Sequence, residues 1–143
     1  MTIDANVFVS ALSPSDAAYQ DSLAFLDRVR TEQRVVICPT LVLPECAGAV
    51  MRPTGSSLLT QRATISVQTL PGIRFVSLTS ARAEEAARVA ASYRLRGPDA
   101  VYVAVAQEFG TTLITRNAMM LTRGARAVPA LTPSDWLAAN PTN

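Results

Sequence analysis

Short apolar runs alternate with amphipathic stretches along the whole chain. Residues 1–3 read as the end of a strand, with Asp4 at its C-terminal edge, then Ala5-Asn6 and Val7-Phe8-Val9. Ser13-Pro14-Ser15-Asp16 predicts a helix start, with Ser13 as N-cap, Pro14 first in the helix and Asp16 three residues after the cap. Leu23, Phe25, Leu26 and Val29 continue it at helical spacing to near Arg30. The continuous run 35–38 predicts a strand buried on both faces. A second helix follows Pro39-Thr40, with Pro44 tolerated in its first turn, Glu45 just behind it, and Arg52-Pro53-Thr54-Gly55 breaking it. Residues 56–70 read as helical, 75–78 as a third strand, and Ser80 as the cap of a helix in which Glu84 pairs with Arg88.

Arg96-Gly97-Pro98 interrupts the chain, and a further helix is expected to start near Asp99. Residues 112–115 give a fourth strand and 127–131 a weaker fifth, and Pro133–Ala139 closes the fold with Trp136. Strands of this kind alternating with amphipathic helices argue for a parallel sheet covered on both faces. In such a sheet ligands bind beyond the C-terminal strand ends. Asp4 ends the first strand, Glu45 opens the helix after the second, and Asn117 follows the fourth. Asp99 begins the helix that feeds the fourth strand.

Composition narrows the chemistry. The chain has 143 residues, enough for one domain with a single core, and 49% of them are apolar against 17% charged. There is no lysine and no histidine, so all 13 basic residues are arginines. That excludes Ser-His-Asp and Cys-His catalysis, imidazole metal sites, a phosphate-loop lysine and Schiff-base chemistry. A net charge of +2 does not by itself advertise a nucleic-acid binder. Cys38 and Cys46 lack the partners of a zinc site and read as buried, reduced thiols. The longest apolar run, 100–106, is too short to span a bilayer, and the N-terminus lacks a basic leader, so a cytoplasmic protein is expected.

Carboxylates gathered on one edge repel unless a cation neutralises them or some stay protonated. With oxygen ligands alone, Mg²⁺ or Mn²⁺ is the fitting ion, and it activates water against a phosphodiester. Each acid also has a plainer reading. Glu45 suits a helix dipole, and Asp99 suits an N-cap, which does not exclude metal binding. Asp16, Asp21 and Asp27 read as solvated helix-face or cap residues, and Asp135 as support for the last helix.

Four stretches carry a resemblance. They are Asp4-Ala5-Asn6 with Val7-Phe8-Val9, Pro44-Glu45, Gly97-Pro98-Asp99-Ala100, and Thr112-Leu113-Ile114-Thr115-Arg116-Asn117. In this order and spacing the chain resembles a PIN domain, specifically the VapC-like toxins of toxin–antitoxin pairs, nearly end to end. The resemblance implies one domain over residues 1–143. It implies a three-layer α/β/α fold whose central parallel sheet runs in the order 3-2-1-4-5. It further implies a Mg²⁺- or Mn²⁺-dependent ribonuclease, with Asp4, Glu45 and Asp99 at the metal, and a small antitoxin over the site of a homodimer.

Two departures qualify the resemblance. The family's usual fourth acid is Asn117 here, a neutral ligand that holds a dication less well, and the strand before Asp4 is short. Arg96 and Arg116 flank the acids and would hold phosphate, while Arg52 and Arg123 are candidates for the rim for which solvated charge is the preferred reading. Asn6 and Thr115 are expected to support the acids. The competing functions are a catalytically weakened PIN-like domain that binds RNA or a protein partner, and a small-ligand domain. The chain lacks the Gly-rich phosphate loop the last would need.

Overall fold

The computed structural model describes residues 1–141. Its elements are β1 (Thr2–Ile3), α1 (Ala5–Ser10), α2 (Tyr19–Thr31), β2 (Val36–Pro39), α3 (Val42–Thr54), α4 (Ser57–Gln68), β3 (Ile73–Val76) and α5 (Ser80–Tyr93). They continue with α6 (Gly97–Glu108), β4 (Leu113–Ile114), α7 (Ala118–Thr122), a 3₁₀ turn (Gly124–Arg126), β5 (Ala130–Leu131) and α8 (Pro133–Ala139).

All strand pairings are parallel. β4 lies between β1 and β5, and β2 pairs with β3. The Ile37 N–H donates to the Met1 carbonyl at 2.9 Å, which sets β2 beside β1 and joins the two ladders in the order 3-2-1-4-5. The α/β class and central parallel sheet are therefore as expected. The strands are very short, and helices carry most of the core.

Helix α6 is the central one. Its residues from Ala100 through Ala106 are all buried, and it packs on α5, β1, β2 and β4. A helix apolar on every side has nowhere to go but the core. The α3–α4 pair packs against α1, while α2 pairs with α8. Trp136 of α8 meets the Phe25 ring edge-on, with centroids 5.1 Å apart. Cys38 and Cys46 are free and buried, and burial pushes both thiols up to about 12, so both remain protonated. Among the described residues, no helix is long and apolar enough to cross a membrane.

Local boundaries differ from expectation in instructive ways. Residues 7–9 belong to helix α1, which begins immediately after Asp4. Ser13-Pro14 does not open a helix: residues 13–18 form turns, and α2 starts at Tyr19. The Asp16 side chain organises that turn by accepting the Ala18 N–H at 2.9 Å. Helix α3 passes through Pro53 and ends at Gly55, whose left-handed φ of 61° suits a C-cap. Strand β3 begins two residues early, Thr79 rather than Ser80 caps α5, and Arg88 pairs with Glu85 rather than Glu84.

Gly72, at φ 80°, carries the chain into β3 where a Cβ would lie 2.5 Å from the Arg34 carbonyl oxygen. Both the dihedral and the clash are backbone problems that no rotamer relieves. Gly72→Ala is expected to destabilise the protein by roughly 2 kcal/mol or more. An unchanged urea midpoint would show that the turn before β3 is not constrained in this way.

A candidate carboxylate site beyond the strand ends

The parallel register of β1 and β4 pairs Ile3 with Ile114, so the next residues, Asp4 and Thr115, leave the sheet side by side. Asp4 then changes role from strand to helix. It is the N-cap of α1, and its Oδ1 accepts the Asn6 N–H at 3.5 Å. Its other oxygen accepts the Thr115 hydroxyl at 2.6 Å. Thr115 is fully buried, and its oxygen also accepts from the Asn117 N–H (3.0 Å) and Asn6 Nδ2 (3.4 Å). The Asn6 amide oxygen accepts the Arg116 N–H at 3.2 Å. Asn6 and Thr115 thus fasten the first turn of α1 to the end of β4.

Glu45 arrives from α3, with Pro44 before it in the first turn, where its missing N–H has no helical partner to lose. The buried Tyr102 hydroxyl of α6 donates to Glu45 Oε2 at 2.6 Å. Asp99 lies in the first turn of the same helix, three residues beyond Arg96, which is the N-cap. Asp99 therefore is not the cap itself. Its buried carboxylate takes a two-pronged ion pair from Arg96, at 2.9 Å from Nε and 3.2 Å from Nη2.

Asp4, Asn6, Glu45, Arg96, Asp99, Arg116 and Asn117 line one open cavity of about 560 Å³, and Thr115 sits just beneath it. All of these were candidates from the sequence, although only the family resemblance, and not spacing, implied that Asp99 would join Asp4 and Glu45. The roles of Asp16 and Tyr102 were not anticipated, and Arg52 was only a rim candidate. Asp16 lines the same cavity and accepts Arg116 Nη1 at 3.0 Å, with the Ser10 hydroxyl donating to the same Asp16 oxygen, also at 3.0 Å. Arg116 also contacts the Ser10 hydroxyl directly. Asp16 is thus a tether for Arg116 rather than a solvated helix residue. Tyr102, read only as part of an apolar helix, orients Glu45. Arg52 lines the cavity at an exposed position, whereas Arg123 lies elsewhere.

Asn117 caps α7, its amide oxygen accepting the Met119 and Met120 N–H groups at 2.9 and 3.4 Å. Those two donors fix which way the amide is turned. Its nitrogen therefore faces Asp99 Oδ1, at 3.2 Å. The side chain presents a donor to the acid and keeps its carbonyl for the helix.

Burial pushes the Asp4 carboxyl up to about 6 despite the Thr115 and Asn6 hydrogen bonds, and the Glu45 and Asp99 charges add to the rise. Burial likewise raises Glu45, against the Tyr102 hydrogen bond, with Asp99 adding to it. Among the described residues, no group of three or more His, Cys, Asp or Glu is arranged ready to hold a metal ion. Each acid is instead engaged by a protein donor: Thr115, Tyr102 or Arg96. The donor set itself, oxygen only and mutually repelling, suits a hard dication.

The sequence profile of the PIN domain family matches residues 1–125. No curated protein sequence matches. Among solved structures, FitAcB from Neisseria gonorrhoeae is similar at 18% identity and a TM-score of 0.69, covering 93% of this chain and 97% of that one. A toxin–antitoxin complex from Klebsiella pneumoniae gives 21% and 0.66, with 92% and 96% covered. VapC20 from Mycobacterium tuberculosis, a sarcin-ricin loop cleaving toxin, gives 20% and 0.63, with 78% and 85% covered.

The raised Asp4 carboxyl has a consequence for stability. Its folded value of about 6 lies above the ordinary 3.8, so the native state binds the extra proton between those limits. Stability from this group is full below the lower value and declines as pH rises through the upper one. Asp4→Asn removes the penalty and is expected to stabilise the metal-free protein at neutral pH by roughly 1–3 kcal/mol. The gain should vanish below about pH 4, where Asp4 is protonated in both states. Urea unfolding of both proteins across this range tests it, and a difference that does not change with pH would contradict it.

Proposed function

The chain belongs to the PIN domain family, and on that premise we propose that it is a Mg²⁺- or Mn²⁺-dependent endoribonuclease, the toxin of a toxin–antitoxin pair. The observation that carries this reading is the convergence of Asp4, Glu45 and Asp99, from three separate elements, on one arginine-rimmed cavity. Asp4, Glu45 and Asp99 are the residues that would hold the ion. When bound, it supplies an activated water and charge neutralisation at the phosphodiester.

The protein groups have distinct tasks in this reading. Thr115 and Asn6 keep the Asp4 carboxylate aimed out of the sheet, and Tyr102 does the same for Glu45. The Arg96 side chain is 78% exposed and, among the described residues, is anchored through Asp99 alone, so releasing the acid frees a guanidinium for a phosphate. Arg116 is held by Asp16 and Ser10 through Nη1 and keeps its remaining donors. Asn117 steadies Asp99 as a positioning residue.

A small antitoxin and a second copy of the chain are the proposed partners. Exposed apolar residues Leu12, Met51, Leu58, Leu59 and Ile65 provide surface for them beside the α3–α4 pair. A cytoplasmic setting goes with this reading. A second reading is a PIN-like domain that binds RNA or a partner with little cleavage. Asn117 favours it, because its carbonyl is committed to α7 and it puts a neutral amide beside Asp99, while the cavity's remaining acid, Asp16, is paired with Arg116.

Purified protein is expected to cut a structured RNA in Mg²⁺ or Mn²⁺ and to stop when EDTA is added. Asp4→Asn and Asp99→Asn should each lower kcat by roughly 100-fold or more. Cleavage that survives both substitutions would sink the carboxylate-site reading. Efficient binding without cleavage by the parent would support the second reading instead.

Asn117→Asp separates metal binding from helix capping, since aspartate caps as well as asparagine. Calorimetry should find tighter Mn²⁺ binding in this variant. Without metal its melting temperature should fall, because a fourth acid then faces Asp99. Equal Mn²⁺ affinity in parent and variant would place residue 117 outside the ion's reach.

A further inference from the structure

A second cationic recess lies apart from the carboxylate cavity. Arg94, Arg123 and Arg126 line it together with Ser92 and Tyr93, enclosing about 320 Å³. Among the described residues, none of these arginines pairs with a carboxylate, although seven other ion pairs are formed. Like charges brought into one concavity without an acid raise the energy of the empty state, and an anion relieves it.

The recess is built by packing rather than by chance exposure. Gly124 is buried against α6, and a Cβ there would lie 3.1 Å from Val103 Cγ2 and 3.7 Å from Met120 Cβ. That close approach seats the 3₁₀ turn, and with it Arg123 and Arg126, beside the end of α5. Arg123 Nη1 donates to the Arg94 carbonyl at 2.9 Å, which orients its guanidinium. The Arg126 guanidinium sits 5.9 Å from the centre of the Tyr93 ring. Arg94 itself adopts a left-handed φ of 53°, where glycine or asparagine would be the cheaper residue.

The recess is also tied to the cavity by short pieces of chain. Asn117, in the cavity wall, caps α7, and Arg123 closes the other end of that helix, roughly 9 Å away at 1.5 Å per residue. Arg94 stands two residues before Arg96, and only the buried Leu95 separates them. The geometry points to a second phosphate subsite at Arg94, Arg123 and Arg126, which takes the backbone of a single-stranded RNA a short distance from the bond that is cut. The inference rests on the ribonuclease reading. An RNA strand fits better than an acidic protein segment, because apart from the Tyr93 ring the lining offers charge and donors without an apolar anchor.

The test uses the full chain in EDTA with a fluorescein-labelled single-stranded RNA of about twelve nucleotides, within the usual span of such sites. Anisotropy titrations over a range of salt compare the parent with Arg123→Ala/Arg126→Ala and with Arg123→Lys/Arg126→Lys. The alanine pair should bind roughly ten-fold more weakly. Its plot of log affinity against log salt should be shallower by about 1.4, as for two lost contacts on a single strand. The lysine pair should recover the slope. Metal-dependent cleavage of a dinucleotide, which reaches only the carboxylate cavity, should be the same in all three proteins. Unchanged affinity and slope in the alanine pair would overturn the subsite and leave the ribonuclease reading intact. A parent that neither binds RNA nor cuts the dinucleotide would overturn both. Loss of polyglutamate binding with RNA binding retained would overturn the subsite in favour of an acidic protein partner.

Discussion

The parallel pairing of β1 with β4 is the constraint on which the site depends. Only two residue pairs make up the ladder, yet it sets Asp4 and Thr115 next to each other at the point where both strands end. The hydroxyl proton of Thr115 can serve only one acceptor, and it goes to Asp4. From this single contact the remaining polar framework extends outward. Asn6 holds the following backbone on the β4 side, Asn117 starts α7, and Arg116 reaches back across the cavity to Asp16. A one-residue slip between the strands would turn Thr115 away and leave a buried carboxylate without its donor.

That framework works against an electrostatic load. Asp4 and Glu45 are both held above their ordinary range chiefly by burial, and neighbouring acids add to it. A fold under pressure only for stability would replace such a group with a neutral one. Here the load is carried by α6, buried from Asp99 through Ala106, which brings both Asp99 and the Tyr102 hydroxyl to the cavity. Core packing therefore supplies the rigidity that lets repelling groups stay together. Protein donors hold the acids in place meanwhile, and the charged one among them, Arg96, is also the most exposed.

Much of this was legible in the chain because it depends on local pattern. The apolar runs located the first four strands to within two residues and the end of the fifth, and the break at Gly97-Pro98 located α6. The acids were conspicuous because Asp4 interrupts an apolar lead and no histidine or lysine competes for their role. What escaped depends on distant partners. Asp16 and Arg116 are 100 positions apart, and Tyr102 finds Glu45 across 57. Helix α1 was hidden because a two-residue strand and a six-residue helix share one apolar stretch, and neither is long enough to show its period. The Ser13-Pro14 start misled because the Asp16 side chain accepts the Ala18 N–H within a turn in place of capping a helix's first turn.

The absence of lysine acquires a structural sense at the site. Arg96 grips both oxygens of Asp99 through a planar fork, a geometry an ammonium cannot reproduce. The same fork matches a phosphate, so under the proposed ribonuclease reading one side chain would both guard the acid in the free protein and meet the substrate. Arg116 divides its donors in a related way, spending one nitrogen on Asp16 and Ser10 while the others stay available. A point charge on a flexible stem would have to abandon one partner to reach the other. With guanidinium groups, Asp99 and Asp16 can stay paired in the free protein while the proposed site still presents cations to a phosphate.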